Sequence, residues 1–119
     1  MTNRFIGIGR SSLNFPKSVP MAGYSVGGTK SKGKFNDLTA TCFNIDELFF
    51  LVSVDLMGLS CLLVQSVVEK CRSEGYLQVT RQNIIISAIH THTAPGGFFD
   101  SDFYNGHASC KPGFIKQVF

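Results

Sequence analysis

The run Ile84-Ile85-Ile86-Ser87-Ala88-Ile89-His90-Thr91-His92-Thr93-Ala94-Pro95-Gly96-Gly97 constrains the fold more than any other part of the chain. An apolar, β-branched segment of this kind reads as a strand, and the Pro-Gly-Gly behind it ends the strand and lets backbone approach closely. Side chains alternate faces along a strand, so a strand that persisted through His92 would project His90 and His92 from one face at its carboxyl end. Two imidazoles side by side suit a zinc ion, which binds histidine nitrogen at about 2.0–2.1 Å. The alternative is a pair of histidines hydrogen-bonded to their neighbours, and the spacing alone does not separate the two.

The elements upstream decide what kind of sheet receives this strand. Arg4 to Gly9 reads as a short strand, and Ser11 to Pro20 as a loop with two prolines. Ser25 to Lys34 has turn and loop composition. Leu38 to Asn44 alternates as a strand, and Asn44-Ile45-Asp46-Glu47 closes a hairpin into a more apolar strand over Leu48 to Val54. Asp55 and Ser60 are both candidate caps for a helix whose apolar positions Leu59, Leu62, Leu63, Val67 and Val68 recur at three and four residues. Glu69, Lys70 and Arg72 come late in it, and Gly75 fits its stop. Strand, helix, strand is a βαβ unit, so the expected class is α/β: a mixed sheet in which two strands are parallel and joined by a right-handed crossover. Ligands of such sheets gather beyond the carboxyl ends of the strands, where His90 and His92 fall. Phe98 to Gly113 reads as loop, and Phe114 to Phe119 as the start of a helix.

At 119 residues the chain holds one hydrophobic core, and 44% hydrophobic with 16% charged residues is a globular composition. The net charge of +3 is mild. Lys30, Lys32 and Lys34 form a basic cluster in a Gly/Ser stretch without interleaved aromatic residues, which reads as a solvated loop and not as a nucleic-acid site. Cys42, Cys61, Cys71 and Cys110 form no C-x-x-C pair, which argues against a zinc knuckle and for buried free thiols. No signal-type apolar segment precedes the first strand, and the apolar region from Leu48 to Val68 is broken by Ser53, Asp55, Gly58, Ser60 and Gln65, against a membrane span. The chain is therefore intracellular, or an upstream signal lies outside it.

Other chemistry is thin. His107, Asp100 and Asp102 are the local candidates to complete a metal site with His90 and His92. Gly7-Ile8-Gly9-Arg10-Ser11-Ser12 starts like a dinucleotide fingerprint but has Ser12 in place of the third glycine, and Gly23 to Ser31 has a threonine where a phosphate loop needs its lysine. Ser109 and Cys110 lie near His107 without a nucleophile elbow, and Gly58-Leu59-Ser60 lacks the glycines of one.

Taken in order, the stretches resemble the neutral (non-lysosomal) ceramidase family. Phe5-Ile6-Gly7-Ile8-Gly9-Arg10 looks like the family's opening G-(V/I)-G-(R/K) strand, and Pro20-Met21-Ala22-Gly23-Tyr24-Ser25 like its M-M-G-Y-(A/S) turn. Val52-Ser53-Val54-Asp55-Leu56 is similar to its strand ending in aspartate. Asn83 to Phe98 is similar to N-V-(V/I/M)-(L/I)-S-(G/A)-T-H-T-H-S-G-P-G-G-(Y/F), the most specific part. Phe103-Tyr104-Asn105 and Phe114 to Phe119 have weaker counterparts. Departures are Thr93-Ala94 for Ser-Gly, Ala22 for the second methionine, and Asn36-Asp37 where the family has an arginine-containing strand start.

The resemblance implies a zinc-dependent amidase that cleaves the N-acyl bond of ceramide to sphingosine and a fatty acid. It makes His90 a zinc ligand and gives His92 a place lining the same site, where it hydrogen-bonds the bound oxygen or orients a neighbour. The family's remaining zinc ligands (a His, a Glu and a Tyr) and its G-D-V-S-P-N serine motif lie further along its chain, and none is present here. Residues 1–119 are thus expected to be the N-terminal part of a larger α/β catalytic domain, truncated at its C-terminal end and inactive alone. The expected partners are ceramide, the remainder of that domain and a membrane surface, with no nucleic acid, and the compartment implied is secreted or membrane-associated. The competing readings are a non-catalytic metal-binding or regulatory module and a truncated gene product without independent activity.

Overall fold

A computed structural model describes residues 4–24 and 30–107. Strands β1 (Ile6–Leu13), β2 (Leu38–Ile45) and β3 (Phe49–Val54), helix α1 (Cys61–Ser73), strand β4 (Ile84–Ala88) and helix α2 (Asp102–His107) follow one another along the chain. The four strands form one sheet in the order β1-β2-β3-β4. The first two pairings are antiparallel and β3 pairs β4 in parallel, so the sheet is mixed and β3-α1-β4 is the expected βαβ unit.

The β2–β3 hairpin turns through Asp46 and Glu47, both left-handed at φ 54° and 56°. Two consecutive left-handed residues are what a type I′ turn requires, and its twist matches that of the strands it joins. The turn is held by Leu48 N donating to Ile45 O at 3.0 Å and by Glu47 N donating to Asn44 Oδ1 at 2.8 Å. The Asp46 carboxylate accepts from Phe5 N at 2.8 Å, which ties the turn to the residue before β1.

Of the two candidate caps, Ser60 is the one used. Its Oγ accepts from Leu63 N at 3.0 Å, satisfying an amide that has no intrahelical partner. Asp55 instead accepts from Thr39 N at 2.7 Å and Thr39 Oγ1 at 3.0 Å, tying β3's end to β2. After Ser73 the chain turns at Gly75 with φ 97°, a conformation that favours glycine.

Register places Leu38, Ala40, Val54 and Ala88 on one face with Phe50 and Ile84. This face carries the core. Val54, Leu56, Leu63, Ala94 and Phe98 form one buried cluster, and Phe50, Val68 and Val79 a second. The opposite face bears Ile8, Phe43, Leu51 and Ile85 in register across all four strands, and every one of them is exposed.

Four sequence expectations change. The first strand runs on through Ser11, Ser12 and Leu13, because Ala40, Thr39 and Leu38 offer them a paired edge. Strand β4 stops at Ala88, short of the histidines. The segment after Phe98 contains α2, with buried Asn105 bonded to Phe99 through both backbone groups at 3.0 and 2.7 Å. The thiols of Cys42 and Cys71 are only half-buried and Cys61 is exposed; these three are free. Cys110 and Phe114 to Phe119 lie outside the described residues.

Candidate active site at the carboxyl end of the parallel strands

Beyond β4 the chain does not continue as a strand. Ile89 N donates to Val54 O at 3.1 Å as the last rung of the parallel ladder, and His90 N then reaches past the end of β3 to Leu56 O at 3.0 Å. His90 is left-handed at φ 66°, an uncommon conformation for a residue with a Cβ and one that surrounding bonds must hold. The kink removes the strand geometry that would have aligned two side chains. The rings nonetheless meet: their centroids are 4.9 Å apart, at 82° between planes.

The hydrogen bonds assign a tautomer. His90 Nδ1 lies 2.8 Å from Met57 O, and a carbonyl only accepts, so Nδ1–H is the donor. In the neutral ring this leaves the Nε2 lone pair free. His90 Nε2 faces His92 Nε2 at 3.4 Å, with His92 N–H as the donor in that contact. Metal-ligating histidines almost always donate their second ring nitrogen to a carbonyl or carboxylate, and His90 is arranged in that way. Two nitrogens bound to one tetrahedral zinc at about 2.05 Å each are about 3.3 Å apart, so the observed spacing also fits a pair of donors to one ion.

The turn from Met21 to Tyr24 closes the other side. Ala22 N donates to Ala94 O at 2.9 Å and Gly96 N to Pro20 O at 3.1 Å, which locks this turn against the Pro-Gly-Gly segment. Tyr24 meets His92 edge-on with 6.3 Å between centroids. At Gly23, φ is 84° and a Cβ would stand 2.2 Å from His92 Nδ1 and 2.5 Å from its Cε1. Only glycine leaves room for the imidazole.

The acidic candidates are elsewhere engaged. Asp100 accepts from Cys61 N at 3.0 Å, where it caps α1, and Asp102 lies in the first turn of α2. Among the described residues no group of three or more His, Cys, Asp and Glu could hold a metal ion. The local site imagined from His90, His92 and Asp100 or Asp102 therefore does not form. His107 ends α2, and Ser109 and Cys110 lie outside the described residues. Ser60 is a buried helix cap and no nucleophile. Sequence reasoning missed the Met57 carbonyl, which no side-chain pattern can signal, and the steric role of Gly23, whose presence in a turn was legible but whose neighbour was not.

The chain as a whole resembles known proteins. Residues 5–119 match the neutral/alkaline non-lysosomal ceramidase N-terminal region. The chain is 29% identical to neutral ceramidase 2 of Arabidopsis thaliana over 119 residues, covering 96% of this chain and 15% of that protein. Neutral ceramidase 1 of the same plant gives the same figures. Among solved structures, a ceramidase complexed with C2 superposes with a TM-score of 0.77 at 25% identity, over 86% of this chain and 17% of that one. The neutral ceramidase of Pseudomonas aeruginosa gives 0.71 at 26% identity, again over 86% and 17%. The chain thus spans about one sixth of the length of these relatives. With the fold and the match over residues 5–119 in agreement, the chain belongs to the neutral/alkaline non-lysosomal ceramidase family.

Proposed function

We propose that this chain supplies the N-terminal part of a zinc-dependent amidase that hydrolyses the N-acyl bond of ceramide to sphingosine and a fatty acid. The observation that carries the reading is the His90 Nδ1–H bond to Met57 O at 2.8 Å, which leaves Nε2 as a fixed lone-pair donor. His90 is the zinc ligand. Zinc, when bound, polarises the amide carbonyl and lowers the pKa of a water. His92 lines the site, and its Nε2–H, which faces His90 Nε2 in this structure, becomes free to hydrogen-bond a substrate oxygen once His90's lone pair is engaged. Gly23 keeps that ring in place. Ceramide is a bilayer lipid, so the site must be reached from a membrane surface.

Two measurements test this. Zinc titrated into the 119-residue chain should shift the His90 ring resonances while Nδ1 stays protonated, with weak affinity because His90 is the one ligand these residues bring to it. Zinc binding unchanged in His90→Ala would overturn the ligand assignment. The same chain, with zinc, should not turn over labelled ceramide; turnover would show that the family's other ligands are not needed.

A further inference from the structure

The proposed reaction leaves the basic cluster without a role. Residues 1–36 contain six Lys and Arg and no Asp or Glu, whereas residues 37–119 contain five and eight. The fold gathers four of those six around a cleft of about 750 Å³. Phe15, Val19, Met21 and Pro95 supply apolar lining, and Lys17, Lys30, Lys32 and Lys34 line it too, all four exposed. No acidic residue contributes to the lining. Lys34 pairs with Asp37, while Lys17, Lys30 and Lys32 make no ion pair among the described residues. Ser31, between Lys30 and Lys32, is tied to Ser18 and Val19: Ser31 N donates to Val19 O at 2.9 Å, Ser18 N to Ser31 O at 3.1 Å, and Val19 N to Ser31 Oγ at 3.1 Å.

Phe35, also in the lining, is fully exposed at 103%. A solvated loop has no reason to hold a phenylalanine out in water between Lys34 and Asn36. An interface with apolar depth and an anionic surface gives both the ring and the lysines favourable surroundings. Thr93 lines the same cleft, one residue past His92, so the cleft adjoins the candidate site.

We propose that this cleft and its lysines dock the chain on an anionic lipid bilayer, with Phe35 inserted among the acyl chains. Choosing a bilayer over a free anion rests on the ceramide reading; the charge and the exposed ring do not depend on it.

The test uses the 119-residue chain with vesicles of phosphatidylcholine alone or with phosphatidylserine at about one part in three, both free of ceramide, so that it reads docking and not catalysis. Sedimentation should find the chain on phosphatidylserine vesicles only, and raising salt from about 0.1 M to about 0.5 M should release it. Each lysine near an anionic surface is worth about fivefold in partitioning, so Lys30→Glu with Lys32→Glu should lower binding by at least about 25-fold. Phe35→Ser should lower it about tenfold, and Lys17→Ala with Lys32→Ala provides a milder pair if charge reversal disturbs folding. Lys70→Glu on α1 should leave binding unchanged. Equal binding to both vesicles, or binding insensitive to the lysine and Phe35 variants, overturns the proposal. So does absence of vesicle binding, and if Phe35-dependent self-association accompanies it, the cleft belongs to a second copy of the chain.

Discussion

At the scale of single residues, His90 is set by its backbone and not by its neighbours in sequence. A left-handed φ of 66° aims its ring so that Nδ1 reaches Met57 O and Nε2 reaches His92. The strain of such a conformation, of order 1–3 kcal/mol, is offset by the two main-chain bonds from Ile89 and His90 to the end of β3. His92 depends on an absence, the missing Cβ of Gly23. Gly23→Ala should therefore displace the His92 ring. NMR should show contacts between the two imidazoles disappearing while the amide signals of β4 stay put; retained inter-ring contacts would mean that the Met21–Tyr24 turn yields instead.

At the scale of elements, α1 is fastened at its start by two unrelated parts of the chain. Ser60 Oγ takes the Leu63 amide, and Asp100, 39 residues on, takes the Cys61 amide. Ser60→Ala should cost about 1 kcal/mol, read as a lower urea midpoint with an unchanged slope. Helix and sheet also share a titrating contact. Burial pushes the Cys42 thiol on β2 above its ordinary value of 9.0, and Cys71 on α1 adds to the shift. The folded protein thus holds this proton more tightly than the unfolded chain does. The associated stability is present below pH 9.0 and is lost as pH rises through the higher folded value. The urea midpoint should fall more steeply above that pH in the parent than in Cys42→Val, and parallel curves would refute the coupling.

At the scale of the whole molecule, one sheet face is covered by α1 and the segment around Ala94 and Phe98, and among the described residues nothing covers the other. Sheets with parallel strands are ordinarily covered on both faces. Here Ile8, Phe43, Leu51 and Ile85 form an apolar row across four strands with exposures between 39% and 69%. A contiguous row of this kind marks a surface that seeks a second layer. In solution the 119-residue chain should bind an apolar dye and associate with rising concentration. Ile8→Thr with Ile85→Thr should weaken both without lowering helix content, and sedimentation velocity is the measurement.

The sequence by itself determined the elements whose signals are local. The Asn44–Glu47 turn, the helix over Leu59 to Val68, the strand before the histidines and hence the parallel β3–β4 pair all follow from turn chemistry and apolar period, whereas the choice of Ser60 over Asp55 as cap did not. The H-T-H-x-x-P-G-G block carried the family as well. Tertiary structure alone decided the rest. Ser11 to Leu13 became strand because β2 offered a partner, Asp100 became a helix cap because the chain returns to α1, and β4 stopped before His90 because the His90 amide bonds to Leu56, beyond the end of β3. The two imidazoles still meet, though the strand alternation that predicted it does not reach them. They are brought together by a backbone carbonyl and a glycine, and neither leaves a pattern of side chains along the sequence that could have announced the contact.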